Sequence, residues 1–230
     1  MIVQVYAMIS ESDAIAVCRA GVDHVGIVTS KEGDPVRGIV SYKEASRIAS
    51  IIREEGKKTT VILDTLDIDE MKDLISTIKM DIIHLCSEVP LDDLKRIRDL
   101  TESMGVMLMY AIPISSEASV EVAKKVEDLV DFIMCDSPFE SYQMKGFVGA
   151  SGKTHDWGIS KEIVLSVNKP VILAGGLTVT NVAQAIRIVK PKGVDAKTSL
   201  DLKESSGRKD IDKVEEFVRI VRSCEYTDNR

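Results

Sequence analysis

The stretch Val171-Ile172-Leu173-Ala174-Gly175-Gly176-Leu177 decides the fold prediction. Four consecutive apolar residues end in two glycines, and residues 179–189 then show the apolar spacing of an amphipathic helix. An apolar run without alternation is typical of a strand that is covered on both faces, as in parallel sheets whose strands are connected by helices. The stretch therefore indicates one β-strand followed by one α-helix.

The same unit recurs from one end of the chain to the other. Apolar runs predict strands at residues 2–8, 24–28, 60–63, 82–86, 106–112, 132–135, 171–174 and 193–196. Helical spacing follows at residues 42–55, 69–79, 91–103, 117–128, 160–167, 179–189 and 210–223. Ser41 and Glu44 have the spacing of a capping box at the start of the first of these helices, and Gly56 supplies its end.

Eight strand–helix units in 230 residues average roughly 29 residues each. Parallel strands linked by helices form either a doubly wound open sheet or a closed barrel, and eight units favour the barrel. The prediction is an α/β fold, a single (β/α)8 TIM barrel, with residues 1–230 as one domain.

Composition excludes several classes of protein. Hydrophobic residues make up 44% of the chain, which is enough for a core, so a disordered chain is excluded. The net charge of −7 argues against a nucleic-acid partner, because binding to a phosphate backbone depends on a basic face. The apolar runs are far shorter than the roughly 20 residues that cross a bilayer, so no membrane partner is expected.

The cysteines and histidines favour a cytoplasmic protein without a metal. Cys18, Cys86, Cys135 and Cys224 are widely spaced and include no CxxC pair, which is typical of reduced thiols. The three histidines are far apart in sequence, so no metal site is expected, and no cofactor is predicted. The chain starts in a strand-like run without the basic segment of a secretory signal.

Two groups of residues late in the chain favour phosphate binding. Glycines let a backbone approach a ligand closely and a helix N-terminus presents unpaired N–H groups, so Gly175 and Gly176 before a predicted helix suit an anion. Loops after the seventh and eighth strands of such barrels commonly bind phosphate, and Lys197, Thr198 and Ser199 follow the eighth strand. The alternatives are a tight turn that needs positive φ at the glycines and a merely exposed lysine.

Asp136 ends the sixth predicted strand, at the face of the barrel where active sites are built. A carboxyl group there suits acid/base catalysis if burial raises its pKa, and the alternative is a turn that begins at Ser137. The loop that follows contains Gly149, Ser151 and Gly152, a pattern that predicts a mobile lid.

Several motifs together resemble the phosphoribosylanthranilate isomerase family over nearly the whole chain. Residues 149–157 read GASGKTHDW and resemble the family's G-G-(T/S)-G-x-x-F-D-W loop. Residues 173–186 resemble its L-A-G-G-L-x-x-x-N-V-x-x-A-I stretch, and residues 193–195 and 207–210 resemble its G-V-D and G-x-K-D elements. Arg37 falls where the family has the arginine of its S-x-R-x-(V/I)-S element.

The resemblance implies an isomerase of tryptophan biosynthesis that acts on a small phosphorylated substrate. The family's reaction is an Amadori rearrangement of N-(5-phosphoribosyl)anthranilate, in which a general acid opens the furanose ring to a Schiff base and a general base removes the C2 proton. By resemblance, Asp136 would be the acid and Arg37 would orient the anthranilate carboxylate. Gly175 and Gly176 would hold the phosphate, and Asp195 would bind substrate.

The general base is where this chain departs most from the family. The family's first strand carries a cysteine as the base, and this chain has Tyr6 at that position. A phenol has a pKa near 10, so ionising it at neutral pH needs about 4 kcal/mol of selective stabilisation. The alternatives are that Tyr6 fills the barrel mouth, or that Cys86 on the fourth strand takes over as base. In addition, Ala150 and Ser199 stand where the family has glycines, and His155 stands where it has phenylalanine.

Two other functions stay open at the level of sequence. The same barrel and phosphate site would suit a different phosphosugar isomerase, epimerase or aldolase, because this fold hosts many chemistries. The second alternative is a non-catalytic paralogue that binds a phosphorylated metabolite. Asp136 and Arg37 favour the isomerase, since a binding protein needs no acid. The chain is expected to be a monomer or a homodimer.

Overall fold

Parallel strands close into a barrel in the computed structural model, which describes residues 1–138, 153–202 and 207–227. The eight barrel strands are β1 (Ile2–Val5), β2 (His24–Ser30), β4 (Lys58–Ile62), β5 (Ile82–Leu85), β6 (Met107–Pro113), β7 (Phe132–Asp136), β8 (Val171–Leu173) and β9 (Gly193–Ala196). Strand β1 pairs with both β9 and β2, which closes the sheet. A short extra strand, β3 (Ile39–Ser41), pairs with β2. The predicted (β/α)8 fold is confirmed.

Eight helices surround the barrel. They are α1 (Glu11–Arg19), α2 (Tyr42–Glu54), α3 (Ile68–Ile78), α4 (Leu91–Met104), α5 (Ala118–Val126), α6 (Trp157–Ser166), α7 (Val182–Val189) and α8 (Ile211–Thr227). Short 3₁₀ turns lie at Pro35–Arg37, Glu127–Leu129 and Thr198–Leu200. In the part of the chain that the structure describes, no helix has the length and apolar character that crossing a membrane requires.

The predicted ends of α2 are confirmed at atomic detail. The Ser41 hydroxyl accepts a hydrogen bond from the Glu44 N–H at 3.3 Å, and the Glu44 carboxylate accepts one from the Ser41 N–H at 2.9 Å. Gly56 has a φ of 72° just beyond the helix, a conformation that glycine adopts without steric cost. The capping box and the glycine therefore act as the sequence indicates.

The sequence pattern misses two elements and misplaces the starts of two helices. Helix α6 begins at Trp157 instead of residue 160. Helix α1 begins after Ser10, whose hydroxyl accepts a hydrogen bond from the Asp13 N–H at 3.1 Å, and the helix buries mostly small residues that give weak periodicity. Strand β3 lies between the strand predicted at residues 24–28 and the helix predicted at residues 42–55, where the sequence pattern predicts no strand. Helix α7 starts at Val182 instead of residue 179, because Asn181 folds the preceding residues into a turn.

The barrel has an apolar interior at β5 to β8 and a polar interior near β1 and β9. Buried side chains that line the apolar side include Ile82, Met109, Phe132, Met134 and Ile172. On the polar side, Gln4 of β1 contacts side chains from β2, β4, β6 and β9. Since these strands lie around the whole barrel, the contacts show that the Gln4 side chain points into the barrel interior.

Candidate active site

Four sequence-predicted residues meet at the carboxyl-terminal mouth of the barrel. Tyr6 follows β1, Cys86 follows β5, Asp136 ends β7 and Asp195 lies in β9. Side chains alternate along a strand, so Asp136 shares the interior face with Met134, and Cys86 packs in the same interior cluster. Catalytic groups of these barrels come from the ends of several strands, and this arrangement has that form.

Asp136 has the properties that a general acid needs. Burial raises the pKa of its carboxyl to about 6, and the hydrogen bond that the Ser137 N–H donates to Oδ1, at 2.7 Å, opposes the shift. The Ser137 contact is the turn that the sequence suggested as the alternative. Turn and raised pKa are both present, so the carboxyl is held in place by its neighbour and its pKa lies closer to neutral pH than that of an exposed aspartate.

Asp195 is a second carboxyl in the same environment. Asp195 is 9% exposed, and the side-chain amide of Gln4 donates a hydrogen bond to its Oδ1 at 3.1 Å. Burial is the main cause that raises its pKa to about 7, and the negative charge of Asp136 adds to the shift. The Gln4 hydrogen bond, Lys209 and Lys197 act in the opposite direction. Asp136 and Asp195 therefore interact, and the pair holds one proton in the neutral range.

Gln4 is a site residue that sequence reasoning missed. Its side chain is fully buried, and Oε1 lies 3.3 Å from the Thr60 hydroxyl and 3.3 Å from His24 Nδ1. These contacts fix which end of the amide is the acceptor, so Nε2 is turned toward Asp195. A polar residue in the otherwise apolar run of β1 was the available signal, because buried polar groups are normally hydrogen-bonded.

Tyr6 is buried against the barrel wall and hydrogen-bonded across it. Its hydroxyl lies 2.9 Å from His84 Nδ1, and a Cβ added at Gly26 would come within 2.3 Å of the phenol ring. Burial, followed by the charge of Asp195, raises the pKa of the phenol well above its ordinary value. This environment argues against Tyr6 as the general base and supports the alternative that it fills the barrel mouth. His84 stays neutral, because burial lowers its pKa to about 3.

Cys86 lies at the mouth but among apolar side chains. It is 6% exposed and packs in the interior cluster with Met109, Ala111, Met134 and Ala174. Apolar surroundings are typical of cysteines that act as small hydrophobic residues. The structure therefore brings Cys86 to the predicted site, where it packs against apolar side chains.

The two glycines after β8 serve packing as well as conformation. Gly175 and Gly176 have φ values of 79° and 61°, so the alternative of a turn that requires positive φ is present. A Cβ at Gly176 would lie 2.6 Å from the Lys153 carbonyl carbon, and one at Gly175 would lie 2.4 Å from the Ser137 hydroxyl. Because neither glycine has a side chain, Ser137 and Lys153 can lie close to the backbone of the turn at Gly175 and Gly176. The expected adjacent helix N-terminus is absent at this point, because α7 begins only at Val182.

Ser199 joins the loops after β8 and β9. Its hydroxyl donates a hydrogen bond to the Leu177 carbonyl at 2.6 Å, while Thr198 is exposed and Lys197 is half-buried. Lys197 also reaches the loop after β2, since a Cβ at Gly38 would lie 3.9 Å from its ammonium nitrogen. The residues predicted for phosphate binding therefore lie on one side of the mouth.

Arg37 lies next to Gly38, at the rim of the mouth. Its side chain is 57% exposed, and its Nε forms an ion pair with Asp34 at 3.3 Å. The structure brings the Arg37 loop to Lys197, whereas the guanidinium itself faces solvent and the Asp34 carboxylate.

The lid predicted at Gly149, Ser151 and Gly152 lies outside the described residues. The segment that follows it is anchored through His155, whose Nε2 lies 2.7 Å from the Ser160 hydroxyl and whose Nδ1 lies 3.3 Å from the Ser137 hydroxyl. Ser137 also donates a hydrogen bond to the Lys153 carbonyl at 2.6 Å. The position where the family has phenylalanine is thus used to tie the end of this loop to the residue after Asp136. Among the residues that the structure describes, no group of three or more His, Cys, Asp or Glu side chains is arranged to hold a metal ion.

Comparison with known proteins matches one family over almost the whole chain. A model of the N-(5'-phosphoribosyl)anthranilate isomerase family matches residues 3–220. The protein of that name from Haloferax volcanii is 33% identical over 222 residues, which cover 96% of this chain and 93% of the relative. Another, from Methanothrix thermoacetophila, is 29% identical and covers 97% of this chain and 99% of the relative.

Solved structures show the same fold. Phosphoribosylanthranilate isomerase from Thermotoga maritima superposes with a TM-score of 0.80 at 23% identity. The superposition covers 97% of this chain and 100% of the Thermotoga chain. A phosphoribosylanthranilate isomerase in complex with reduced 1-(o-carboxyphenylamino)-1-deoxyribulose 5-phosphate superposes with a TM-score of 0.76 at 20% identity, with coverage of 97% and 100%. By its sequence over almost its full length, the chain belongs to the N-(5'-phosphoribosyl)anthranilate isomerase family.

Proposed function

We propose that this chain isomerises N-(5'-phosphoribosyl)anthranilate by an Amadori rearrangement at the carboxyl-terminal mouth of the barrel. The observation that carries the proposal is the pair of buried carboxyls, Asp136 and Asp195, whose pKa values are raised to about 6 and about 7. Acid/base catalysis is most effective when the pKa of the catalytic group lies near the working pH. Membership of the family supplies the substrate class.

In the first step, Asp136 acts as the general acid. Its carboxyl donates a proton to the furanose ring oxygen while the bond between that oxygen and C1 breaks. The lone pair of the anthranilate nitrogen forms the C1=N bond, which gives the Schiff base. Removal of the C2 proton then gives an enolamine, which tautomerises to the ketone product.

The two negative ends of the substrate are assigned to residues on different loops. Lys197, Thr198, Ser199 and the Gly175–Gly176 turn are proposed to hold the phosphate, since an ammonium group and hydroxyls suit an anion. Arg37 is proposed to orient the anthranilate carboxylate, because a guanidinium matches a carboxylate in a bidentate fork. For the arginine to reach the substrate, its ion pair with Asp34 has to open.

The test of the proposal is the substitution Asp136→Asn. This change keeps the size of the side chain and removes the transferable proton, so kcat should fall by about 10³-fold, within the range measured for general acids. The measurement is a fluorescence assay with substrate generated in situ, and circular dichroism checks the fold. Turnover of Asp136→Asn at the rate of the unmodified protein would contradict the acid assignment.

The alternatives give different results in the same assay. A phosphometabolite-binding paralogue would bind the reduced analogue but turn nothing over, whereas a phosphosugar enzyme of another specificity would show neither property. The buried carboxyl pair favours catalysis, because ionisable groups with strongly shifted pKa values concentrate at functional sites.

The compartment and the assembly state are secondary parts of the proposal. Four thiols spread over the chain suit a reducing compartment, and we place the protein in the cytoplasm. One of the solved neighbours is described as a dimeric enzyme from Thermotoga maritima. A monomer or a homodimer is proposed here, and sedimentation equilibrium distinguishes the two.

A further inference from the structure

The proposed isomerisation needs a group that removes the C2 proton of the substrate. We propose that Asp195 is this general base and that Gln4 is the residue that positions it. The inference rests on the proposed function, because it assigns the second proton transfer of that same reaction. It differs from the role implied by family resemblance, in which Asp195 only binds substrate.

The geometry around Asp195 favours a fixed carboxylate. Gln4 Nε2 donates to Oδ1 at 3.1 Å, and the other end of the same amide is held by Thr60 and His24, each at 3.3 Å. All four side chains belong to barrel strands, so the carboxylate is positioned by rigid elements and not by a loop. Orientation of a base before the substrate arrives is a large part of its catalytic effect.

In the described part of the chain, three charged groups act on Asp195. Asp136 on β7 raises the pKa of Asp195, while Lys197 after β9 and Lys209 before α8 lower it. The neutral phenol of Tyr6 lies on the neighbouring strand β1. Lys209 itself is fully buried in an ion pair with Asp201, so its charge is held at a constant position. This balance leaves Asp195 able to gain and lose a proton near neutral pH.

The other titratable groups that the structure describes at this mouth are less suitable. Tyr6 is protonated because its pKa is raised, and its hydroxyl is engaged by His84. Burial lowers the pKa of His84 to about 3, which makes the imidazole a weak base. Cys86 packs among apolar side chains. Asp195 is therefore the group best suited to accept the proton.

The proton transfers balance with only two carboxyls. Asp136 gives its proton to the ring oxygen, and Asp195 takes the C2 proton while the C2–H electron pair forms the C1=C2 bond and the C=N pair returns to nitrogen. The ionised Asp136 then accepts the proton of the C2 hydroxyl, and Asp195 gives its proton to C1. The product is the ketone, both carboxyls return to their starting states, and no other reactant is needed.

The decisive variants are Asp195→Asn and Asp195→Ala. For Asp195→Asn we expect kcat to fall by about 10³-fold. The affinity for the reduced substrate analogue should change by less than about fivefold, which is the size of effect expected when one hydrogen bond is weakened. For Asp195→Ala we expect added formate to restore turnover in proportion to its concentration, because formate fits the space of the deleted carboxyl. The matched control is Asp64→Asn, a carboxyl that accepts a hydrogen bond from Tyr42 at 2.5 Å and should leave turnover unchanged.

Gln4→Met tests the positioning role. Methionine has a similar length and donates no hydrogen bond, so the carboxylate of Asp195 loses its N–H partner. We expect the acidic limb of the pH profile of kcat/KM to move to higher pH, which a purely structural loss of active protein would not cause.

The outcomes separate the two proposals. If the unmodified protein does not turn over the substrate, the proposed function fails and the base assignment fails with it. If the unmodified protein is active and Asp195→Asn keeps its kcat, or loses analogue affinity instead, the base assignment alone is overturned. Loss of turnover in Cys86→Ser equal to that in Asp195→Asn would also overturn it.

Discussion

In the proposed mechanism, two carboxyls that face one barrel mouth transfer protons near neutral pH. An exposed aspartate is almost fully ionised at pH 7 and is a poor acid. Burial penalises the charged forms of Asp136 and Asp195, and ionisation of one makes ionisation of the other harder. The pair can then supply an acid and a base at the same pH.

The pH dependence of kcat/KM follows from this pair. Below about pH 6 both carboxyls carry protons and the base is lost, while above about pH 7 both are ionised and the acid is lost. We expect a bell-shaped profile with its maximum between these values, measured from pH 4.5 to pH 9. Activity that rises steadily to pH 9 would contradict the shared-proton interpretation.

At the scale of elements, β1 and β2 fit together because a glycine faces a tyrosine. The ring of Tyr6 occupies the space where a side chain at Gly26 would stand, with ring atoms 2.3 to 2.5 Å from an added Cβ. The large residue at the barrel mouth and the missing side chain on the next strand form a complementary pair. The sequence does not predict this contact, because apolar patterns are interpreted one strand at a time.

The substitution Gly26→Ala should destabilise the fold by about 1–3 kcal/mol, since an extra methyl group in a filled interior forces side chains from their preferred positions. When Tyr6 is already replaced by cysteine, the added Gly26→Ala substitution should destabilise the fold much less, because the smaller side chain leaves room for the methyl group. Urea unfolding of the four proteins in this cycle measures the coupling. Additive effects of the two substitutions would mean that the ring and the glycine do not share the space.

At the scale of the whole molecule, the carboxyl pair proposed to be catalytic destabilises the fold that holds it. The pKa of Asp195 is raised from 3.8 to about 7, so the unfolded chain ionises this group at a lower pH than the folded protein does. Between these two values the folded state binds more protons, and the free energy of unfolding therefore decreases as the pH rises. Above about pH 7 the full cost of the buried charge is present.

Asp195→Asn should therefore unfold at higher urea concentration than the unmodified protein at pH 8. The rise in the pKa of Asp195 corresponds to a stability gain on the order of 2 kcal/mol for Asp195→Asn, once the coupling with Asp136 is taken into account. The gain should shrink as the pH falls and approach zero below pH 3.8, where the carboxyl is protonated in both states. A stability difference that does not change with pH would show that the buried charge is not its cause.

Much of the architecture could be predicted because its signals are local. Apolar runs mark the barrel strands, and the capping box and Gly56 mark the ends of α2. The site was predicted in part, since a carboxyl at the end of a strand must lie at the mouth of a barrel. The contacts of Asp195 were not predictable in this way, because Gln4 is 191 residues away in sequence.

The sequence by itself determined the barrel and the family, and it predicted acidic and phosphate-binding residues at strand ends. These features depend on residue type and on short-range spacing, which are read directly along the chain. Only the tertiary structure decided that Tyr6 pairs with His84, 78 residues away, and that Gln4 holds Asp195. Closing a barrel brings together side chains from strands far apart in sequence, and burial in that interior sets which of them carries a proton.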